Sequence, residues 1–212
     1  MKAILAVDSH WGIGVDGKLP WHFHMDMIHF NAYTRNKICL MGKTTYESIP
    51  EKNYTRLPTR HKVIMSHSTT RMGFDRCQHW AKTWRDAGCI IEEYSKTPDR
   101  SDVILIGGKS MYDRLLPYCE EIMLTRIDNF YGCDVKLDDY VIDKLFGDDD
   151  KWPGLFKKVE HIASIEEFPN GSLLPTQYHI ERYKRINPLE PDKVPDDIRP
   201  VILPRVKGLN WN

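Results

Sequence analysis

A single carboxylate lies within an apolar stripe near the start of the chain. Asp26, Met27, Phe30 and Tyr33 recur at three- and four-residue spacing, which on a helix places one acid on an apolar and aromatic face. Burial should raise the pKa of such an acid, so that it could take part in proton transfer. The alternative is that Asp26 only complements the positive end of a helix from its first turn.

A glycine-bearing loop precedes this acid. Residues 11–18 contain Gly12, Gly14 and Gly17, and Pro20 prevents the loop from continuing as helix. Glycines permit backbone conformations that other residues avoid. The segment is therefore expected to lie against a ligand or to move over one.

Two further segments could hold phosphate groups. Gly42 is followed by Lys43, Thr44 and Thr45, and the pair Gly107 and Gly108 is followed by Lys109, Ser110 and Met111. Each is a strand, a glycine turn and a helix start, where backbone N–H groups are free to bind an anion. Neither is a complete dinucleotide or phosphate-loop motif, and one alone could be a capped helix start without a ligand. Two at the carboxyl ends of parallel strands could hold an extended cofactor with two phosphates.

These candidates require an α/β fold. Buried strands are predicted at 3–7, 38–41, 62–66, 77–81 and 102–106, and an antiparallel pattern begins at residue 122, with strands at 122–127, 156–165 and 177–183 and a turn at 169–171. Thr83 and Asp86 predict a capping box for a helix with a stripe formed by Trp84, Ala87, Ile91 and Tyr94, which we assign to the core and not to a cofactor site. The expected fold is a mixed, mostly parallel central β-sheet with flanking helices and an antiparallel C-terminal hairpin.

Composition restricts the partners. The chain has 212 residues, of which 41% are hydrophobic, and 30 Lys and Arg balance 30 Asp and Glu. No basic stripe favours nucleic acid or a membrane surface, and the acidic run at 148–150 is expected to be a solvated loop. Five cysteines without a Cys-x-x-Cys pair argue against disulfides and a structural metal site. The N-terminal apolar run is too short for a signal peptide, so a cytoplasmic location is expected.

The C-terminal tail has a distinct composition. Residues 187–212 contain five of the thirteen prolines and are predicted to form neither regular helix nor a central strand. The apolar residues Val201, Ile202, Leu203 and Trp211 nevertheless indicate packing against the chain's own surface or a partner. We expect one domain at 1–186 and this tail, in a monomer whose association, if any, is mediated by the tail.

The segment around Asp26 resembles the dihydrofolate reductases. Ile13 and Gly14, then Leu19, Pro20 and Trp21, then Asp26 and Phe30 match that family's most specific signature. The resemblance implies that Asp26 binds the 2-amino group and N3 of a pterin. It also implies that Trp21 orders a proton-relaying water close to Leu19, and that Met27 and Phe30 form walls of the pterin pocket.

Other segments match in the same order, over about residues 1–185. They are 41–49, 57–60 with an arginine for the glutamate carboxylate of folate, 106–112, and 124–127 with a threonine that braces the acid. The substrate residues implied are Ile4, Asp26, Met27, Phe30, Ile49, Leu57, Arg60, Ile106, Tyr112 and Thr125. The cofactor residues implied are Ala6, Ile13, Gly14, Gly17, Lys18, Gly42, Lys43, Thr44, Thr45, Ser66, His67, Gly107, Gly108, Lys109, Ser110, Met111 and Tyr112.

Thr59, His67, Ser110 and Cys133 depart from the family pattern, as does a short insertion before Leu57. Thr59 replaces the usual glycine before Arg60, and Cys133 replaces a glycine before Asp134. The resemblance implies an NADPH-dependent reduction of 7,8-dihydrofolate to tetrahydrofolate, without a metal. The alternatives are another pterin or pyrimidine reductase on the same scaffold and a reductase-like binding component that docks through its tail.

Overall fold

An eight-stranded sheet forms the centre of the protein. The computed structural model describes residues 1–50, 57–68, 77–96, 102–148, 152–169 and 172–203. The strands of this sheet are β1 (Lys2–Val7), β3 (Ile38–Gly42), β4 (His61–Met65), β5 (Gln78–Ala81), β6 (Val103–Leu105), β7 (Glu121–Ile127), β11 (Phe156–Glu167) and β12 (Thr176–Arg185). Two small sheets pair β2 (Gly12–Gly14) with β8 (Val135–Lys136), and β9 (Gly147–Asp148) with β10 (Trp152–Pro153).

The strand order is β11-β12-β7-β1-β6-β3-β4-β5. The six strands from β7 to β5 are mutually parallel, and β12 and β11 continue the sheet in antiparallel pairing. The expected fold class is therefore confirmed. The prediction that the antiparallel pattern begins at residue 122 holds for one edge of β7, which pairs antiparallel with β12, but not for the other edge, which pairs in parallel with β1. The helix that precedes β7 carries the chain back across the sheet, as parallel connections require.

Helices cover both faces of the sheet. They are α1 (His24–Thr34), α2 (Lys43–Ser48), α3 (Trp84–Tyr94), α4 (Lys109–Leu115), α5 (Asp139–Phe146) and α6 (Arg199–Ile202). Strand β1 separates two cores, because Ala3, Leu5 and Val7 pack in one apolar cluster and Ile4 packs in the other. The continuous apolar run of β1 is thus explained by burial on both faces. The predicted capping box at the start of α3 is present.

The tail packs against the domain itself. Val194, Ile198, Val201 and Ile202 are buried in the same cluster as Leu5. The prediction that the tail forms no regular helix is wrong for α6. Its proline occupies the first turn, where a missing N–H removes no helical hydrogen bond.

Gly88 of α3 is where the tail approaches most closely. A β-carbon built on Gly88 would lie 2.4 Å from Pro200 Cβ and 2.7 Å from the Pro200 carbonyl oxygen. We expect Gly88→Ala to lower the free energy of unfolding by about 1–3 kcal/mol, the usual cost of overpacking. Chemical denaturation measures this, with Cys89→Ala as the control at an exposed neighbouring position. Because alanine favours helix over glycine, a more stable Gly88→Ala protein would contradict this contact.

Some predicted features lie outside the described residues. They are most of the turn at 169–171, residues 149 and 150 of the acidic run, and residues 204–212 with Trp211. Among the helices that the structure describes, none combines the length and apolarity needed to cross a membrane.

Candidate active site

A long cleft follows the carboxyl ends of the parallel strands. Its volume is about 2200 Å³, and all of the candidate residues named from the sequence line it. Pockets for one small molecule usually measure about 300–1000 Å³, so this cleft has room for two ligands side by side. The Asp26 region and the two glycine junctions thus belong to one continuous site.

Asp26 is buried on α1 with 6% of its surface exposed. Its Oδ1 accepts a hydrogen bond of 2.7 Å from the Thr125 hydroxyl on β7. Burial raises the pKa of Asp26, while the Thr125 hydrogen bond and the charge of His29 act in the opposite direction. The carboxylate therefore points into the cleft and does not cap its own helix, whose start has no side-chain cap from Phe23. This geometry disfavours the helix-cap alternative.

Trp21 forms the wall beside this acid. The indole is 4% exposed and packs against Tyr131, with 5.2 Å between ring centroids. Its Nε1 is buried and has no hydrogen-bond partner within the described part of the chain. Leu19, by contrast, is half-exposed at the mouth of the cleft.

The loop over the cleft is tied to the segment that follows β7. Oδ1 of Asp8 accepts from the Gly12 N–H at 2.7 Å, and its Oδ2 accepts from the Tyr131 N–H at 3.1 Å. Asp134 accepts from the Asp16 N–H at 3.1 Å. A β-carbon on Gly12 would lie 2.4 Å from Cys133 Cβ, so the cysteine at that position fits only because residue 12 is glycine. Burial raises the pKa of the Cys133 thiol to about 11.

The left-handed backbone conformations in the loop at residues 11–18 do not all fall where the glycines predict them. Of the three glycines, Gly17 has a positive φ, at 71°. Trp11 and Asp16 also adopt positive φ values, of 62° and 48°. Gly12 is instead required by close packing, a constraint that the local sequence does not reveal.

The two glycine junctions lie side by side. The Gly42 N–H donates to the Gly107 carbonyl at 2.8 Å, and a β-carbon on Gly108 would lie 2.8 Å from Thr45 Oγ1. Gly42 and Gly108 are the N-caps of α2 and α4, and neither helix start has a side-chain cap. The first-turn N–H groups of both helices are thus available at one end of the cleft.

The two lysines beside these junctions differ in how closely they pair with acidic side chains. Lys43 Nζ donates to Ser68 Oγ at 3.3 Å and has one loose, exposed ion pair, with Glu47 at 3.8 Å. Lys109 forms ion pairs with Asp113 and Asp138, which raise the pKa of its ammonium group although burial opposes them. Lys43 is therefore better placed than Lys109 to receive an added negative charge.

Arg60 is fixed at the C-terminal end of α1. Its guanidinium donates to Thr34 Oγ1 at 3.0 Å, to the Asn31 carbonyl at 2.9 Å and to the Pro58 carbonyl at 2.8 Å. No carboxylate among the described residues pairs with it. Thr59, where the resemblance expects glycine, has a φ of 70°, so the turn keeps the backbone conformation that favours glycine.

Several cleft residues were not anticipated. Lys82, Trp84 and Arg85 line it at the start of α3, and Asp197 of the tail lines it and pairs with Arg114 at 2.8 Å. Trp84 packs against the core, as predicted for its stripe, and it also borders the cleft, which was not predicted. The helix period identified the face of α3 but gave no sign that its first turn borders the cleft.

Comparisons with known proteins agree with this fold and site. The family model "Dihydrofolate reductase" matches residues 1–146. "Dihydrofolate reductase type 9" of Escherichia coli is 31% identical over 138 residues, which are 65% of this chain and 76% of that protein. The dihydrofolate reductase of Buchnera aphidicola is 30% identical over 158 residues, covering 74% of this chain and 87% of the relative.

A solved structure has the same fold. It is described as dihydrofolate reductase from Enterococcus faecalis complexed with NADP(H) and RAB-propyl. The TM-score is 0.60 at 21% identity, and the match covers 88% of this chain and 96% of that one. The chain belongs to the dihydrofolate reductase family. It is accordingly an oxidoreductase, as predicted.

Proposed function

We propose that this protein reduces 7,8-dihydrofolate to 5,6,7,8-tetrahydrofolate with NADPH. The observation that carries the proposal is the buried Asp26 carboxylate, braced by Thr125 within a cleft that also contains both glycine junctions. NADPH, when bound, supplies the hydride that reaches C6 of the pterin. The protein's own residues orient the two ligands, exclude water and manage the proton that N5 receives.

The cofactor end of the cleft fits a dinucleotide with two phosphates. The start of α2 and the start of α4 present their N–H groups together, and the missing side chain at Gly108 keeps the approach open beside Thr45. Lys43 and Ser68 face each other beyond the α2 junction, where a 2′-phosphate would receive both a charge and a hydroxyl.

At the substrate end, Asp26 would accept hydrogen bonds from the 2-amino group and N3 of the pterin. Its negative charge would stabilise a pterin that is protonated at N5. Since N5 lies on the other ring of the pterin from N3 and the 2-amino group, an acid bound to those two groups would not reach N5, and we assign the donor role to a water ordered near Trp21 and Leu19. The unpartnered indole N–H of Trp21 supports this assignment.

Arg60 is the proposed partner of the glutamate α-carboxylate. Its side chain lines the same cleft as Asp26 and already donates to Thr34, Asn31 and Pro58, so a planar carboxylate would bind by replacing some of these acceptors. In a reductase for pyrimidine substrates without a glutamate tail, this arginine would have only its structural bonds at the end of α1. Oxidation of NADPH measured with and without dihydrofolate tests the proposal, and no dependence on dihydrofolate would reject it.

Lys43 should determine the preference for NADPH over NADH. We expect Lys43→Ala to reduce the ratio of kcat/KM for the two cofactors by roughly 10- to 100-fold, since a charge-assisted hydrogen bond contributes about 1.5–3 kcal/mol. Steady-state kinetics with each cofactor measures the ratio. Lys157→Ala, an exposed lysine on β11, is the matched control and should leave it unchanged. An unchanged preference in Lys43→Ala would exclude this lysine from the 2′-phosphate site.

A further inference from the structure

The first turn of α1 has no cap from its own sequence. Phe23 occupies the N-cap position and forms no side-chain cap hydrogen bond. Asp26 is the third residue of the helix, where an acid often bonds back to the helix start, but its Oδ1 is bonded to Thr125 instead. The N–H groups of the first turn must therefore bond elsewhere.

The C-terminal hairpin supplies the missing cap. On β11, the Glu167 carboxylate accepts from the His24 N–H through Oε1 and from the Met25 N–H, at 3.3 Å, through Oε2. The Tyr178 hydroxyl on β12 donates to Glu167 Oε2 at 2.8 Å. Glu167 thus binds the first two N–H groups of the helix that carries the acid, and Tyr178 holds Glu167 in place.

Packing fixes this cap in place. Tyr178 is fully buried, and its ring lies 4.6 Å from that of Phe23. Burial alone would raise the pKa of Glu167, but the His24 N–H, the Tyr178 hydroxyl and the Met25 N–H hold that pKa below its usual value. Glu167 therefore remains ionised beside the start of α1.

We propose that Glu167 and Tyr178 are positioning residues for Asp26. Tyr178 and Glu167 fix the backbone from which the Asp26 carboxylate projects, and the Glu167 charge disfavours a second negative charge close by. This inference rests on the proposed function, because it assigns a role in the same reaction.

The charged and polar groups that face Asp26 determine whether its pKa should rise or fall when Glu167 is changed. Thr125 on β7 and His29 on α1 favour the ionised acid, whereas burial and Glu167 on β11 disfavour it. Removing the charge of Glu167 should therefore lower the pKa of Asp26. Because a negative charge near the site also stabilises a pterin protonated at N5, loss of the Glu167 charge should lower the apparent pKa of the protonation step, and activity would decline at a lower pH than in the wild type.

The test is the pH profile of kcat/KM for dihydrofolate in Glu167→Gln, which keeps the side-chain shape and one acceptor oxygen. We expect the apparent pKa to fall by roughly 0.5–1 unit, as for the loss of one partly screened like charge. Glu166→Gln, at the exposed adjacent position, makes the same change of charge and should keep the wild-type profile. NADPH affinity should be unchanged in both proteins.

Glu167→Asp and Tyr178→Phe separate position from charge. Glu167→Asp keeps the charge on a shorter side chain, so kcat should fall several-fold while the apparent pKa stays near the wild-type value. Tyr178→Phe removes the hydroxyl that donates to Glu167 Oε2 and should also lower kcat more than it changes KM. If Glu167→Gln does not fold, kcat and the pH profile of these two variants provide the test instead.

Three results would overturn the inference. A Glu167→Gln protein that loses stability but keeps the wild-type pH profile would show a purely structural cap. Wild-type protein that does not turn over dihydrofolate would reject the proposed function and this inference together. An active wild type with an unchanged Glu167→Gln profile would reject the positioning role alone.

Discussion

Replacement of Asp26 by asparagine should lower kcat/KM for dihydrofolate by about 10²- to 10⁴-fold at neutral pH, the usual range for an acid–base group. Asparagine keeps the shape and an acceptor for Thr125 but loses the charge that favours a protonated pterin. The mutant should recover activity as the pH falls, because a substrate protonated in solution needs less help. The wild type should lose activity as the pH rises above the apparent pKa of its protonation step.

Stability provides the control for this experiment. Burial raises the pKa of Asp26 in the folded protein above the value of about 3.9 in an unfolded chain. Above that folded-state pKa the carboxylate therefore costs free energy in the fold, and the cost disappears as the pH falls toward the unfolded-state value. Asp26→Asn should leave the unfolding midpoint at neutral pH unchanged or raise it. A helix cap predicts a loss of about 1 kcal/mol with normal turnover, and a fully active mutant would end the assignment.

Replacement of Arg60 by alanine should raise KM for dihydrofolate by roughly 100-fold or more, because two hydrogen bonds between charged groups would be lost. A dihydropterin without the glutamate tail should show little change in KM. The ratio of the two KM values is the measurement. It also cancels any general effect of losing the bonds from Arg60 to Asn31 and Thr34.

Arg35→Ala is the matched control for Arg60. Arg35 is an exposed arginine directly after α1 that does not line the cleft. Its removal should affect neither substrate. If Arg60→Ala weakened both substrates equally, the guanidinium would support the architecture of α1 and would not bind the folate tail.

The sequence predicted those parts of the fold that depend on local pattern. Apolar runs located β1 and β3, and the Thr83 and Asp86 pair located the start of α3, because burial and capping leave signals within a few residues. The direction of β7 depends instead on its pairing with β1, which lies more than a hundred residues away. Short-range periodicity carries no information about such a partner.

Residues of the candidate site likewise differ in whether the sequence alone could identify them. Asp26 was identifiable because a carboxylate on an apolar face is unusual, and its brace Thr125 followed from a family resemblance. Glu167 gave no such signal, since an acid at the end of an exposed strand is ordinary in sequence. Its role depends on the meeting of a hairpin with a helix about 140 residues earlier in the chain.

The packing of the tail against α3 bears on how the molecule is made. The cluster that contains Ala3 and Leu5 is completed by Val201 and Ile202, so one core joins the first strand to the last described helix. A ribosome releases β1 well before α6, because α6 lies almost 200 residues later in the chain. The apolar residues that Val201 and Ile202 cover can therefore be fully buried only after α6 has been synthesised.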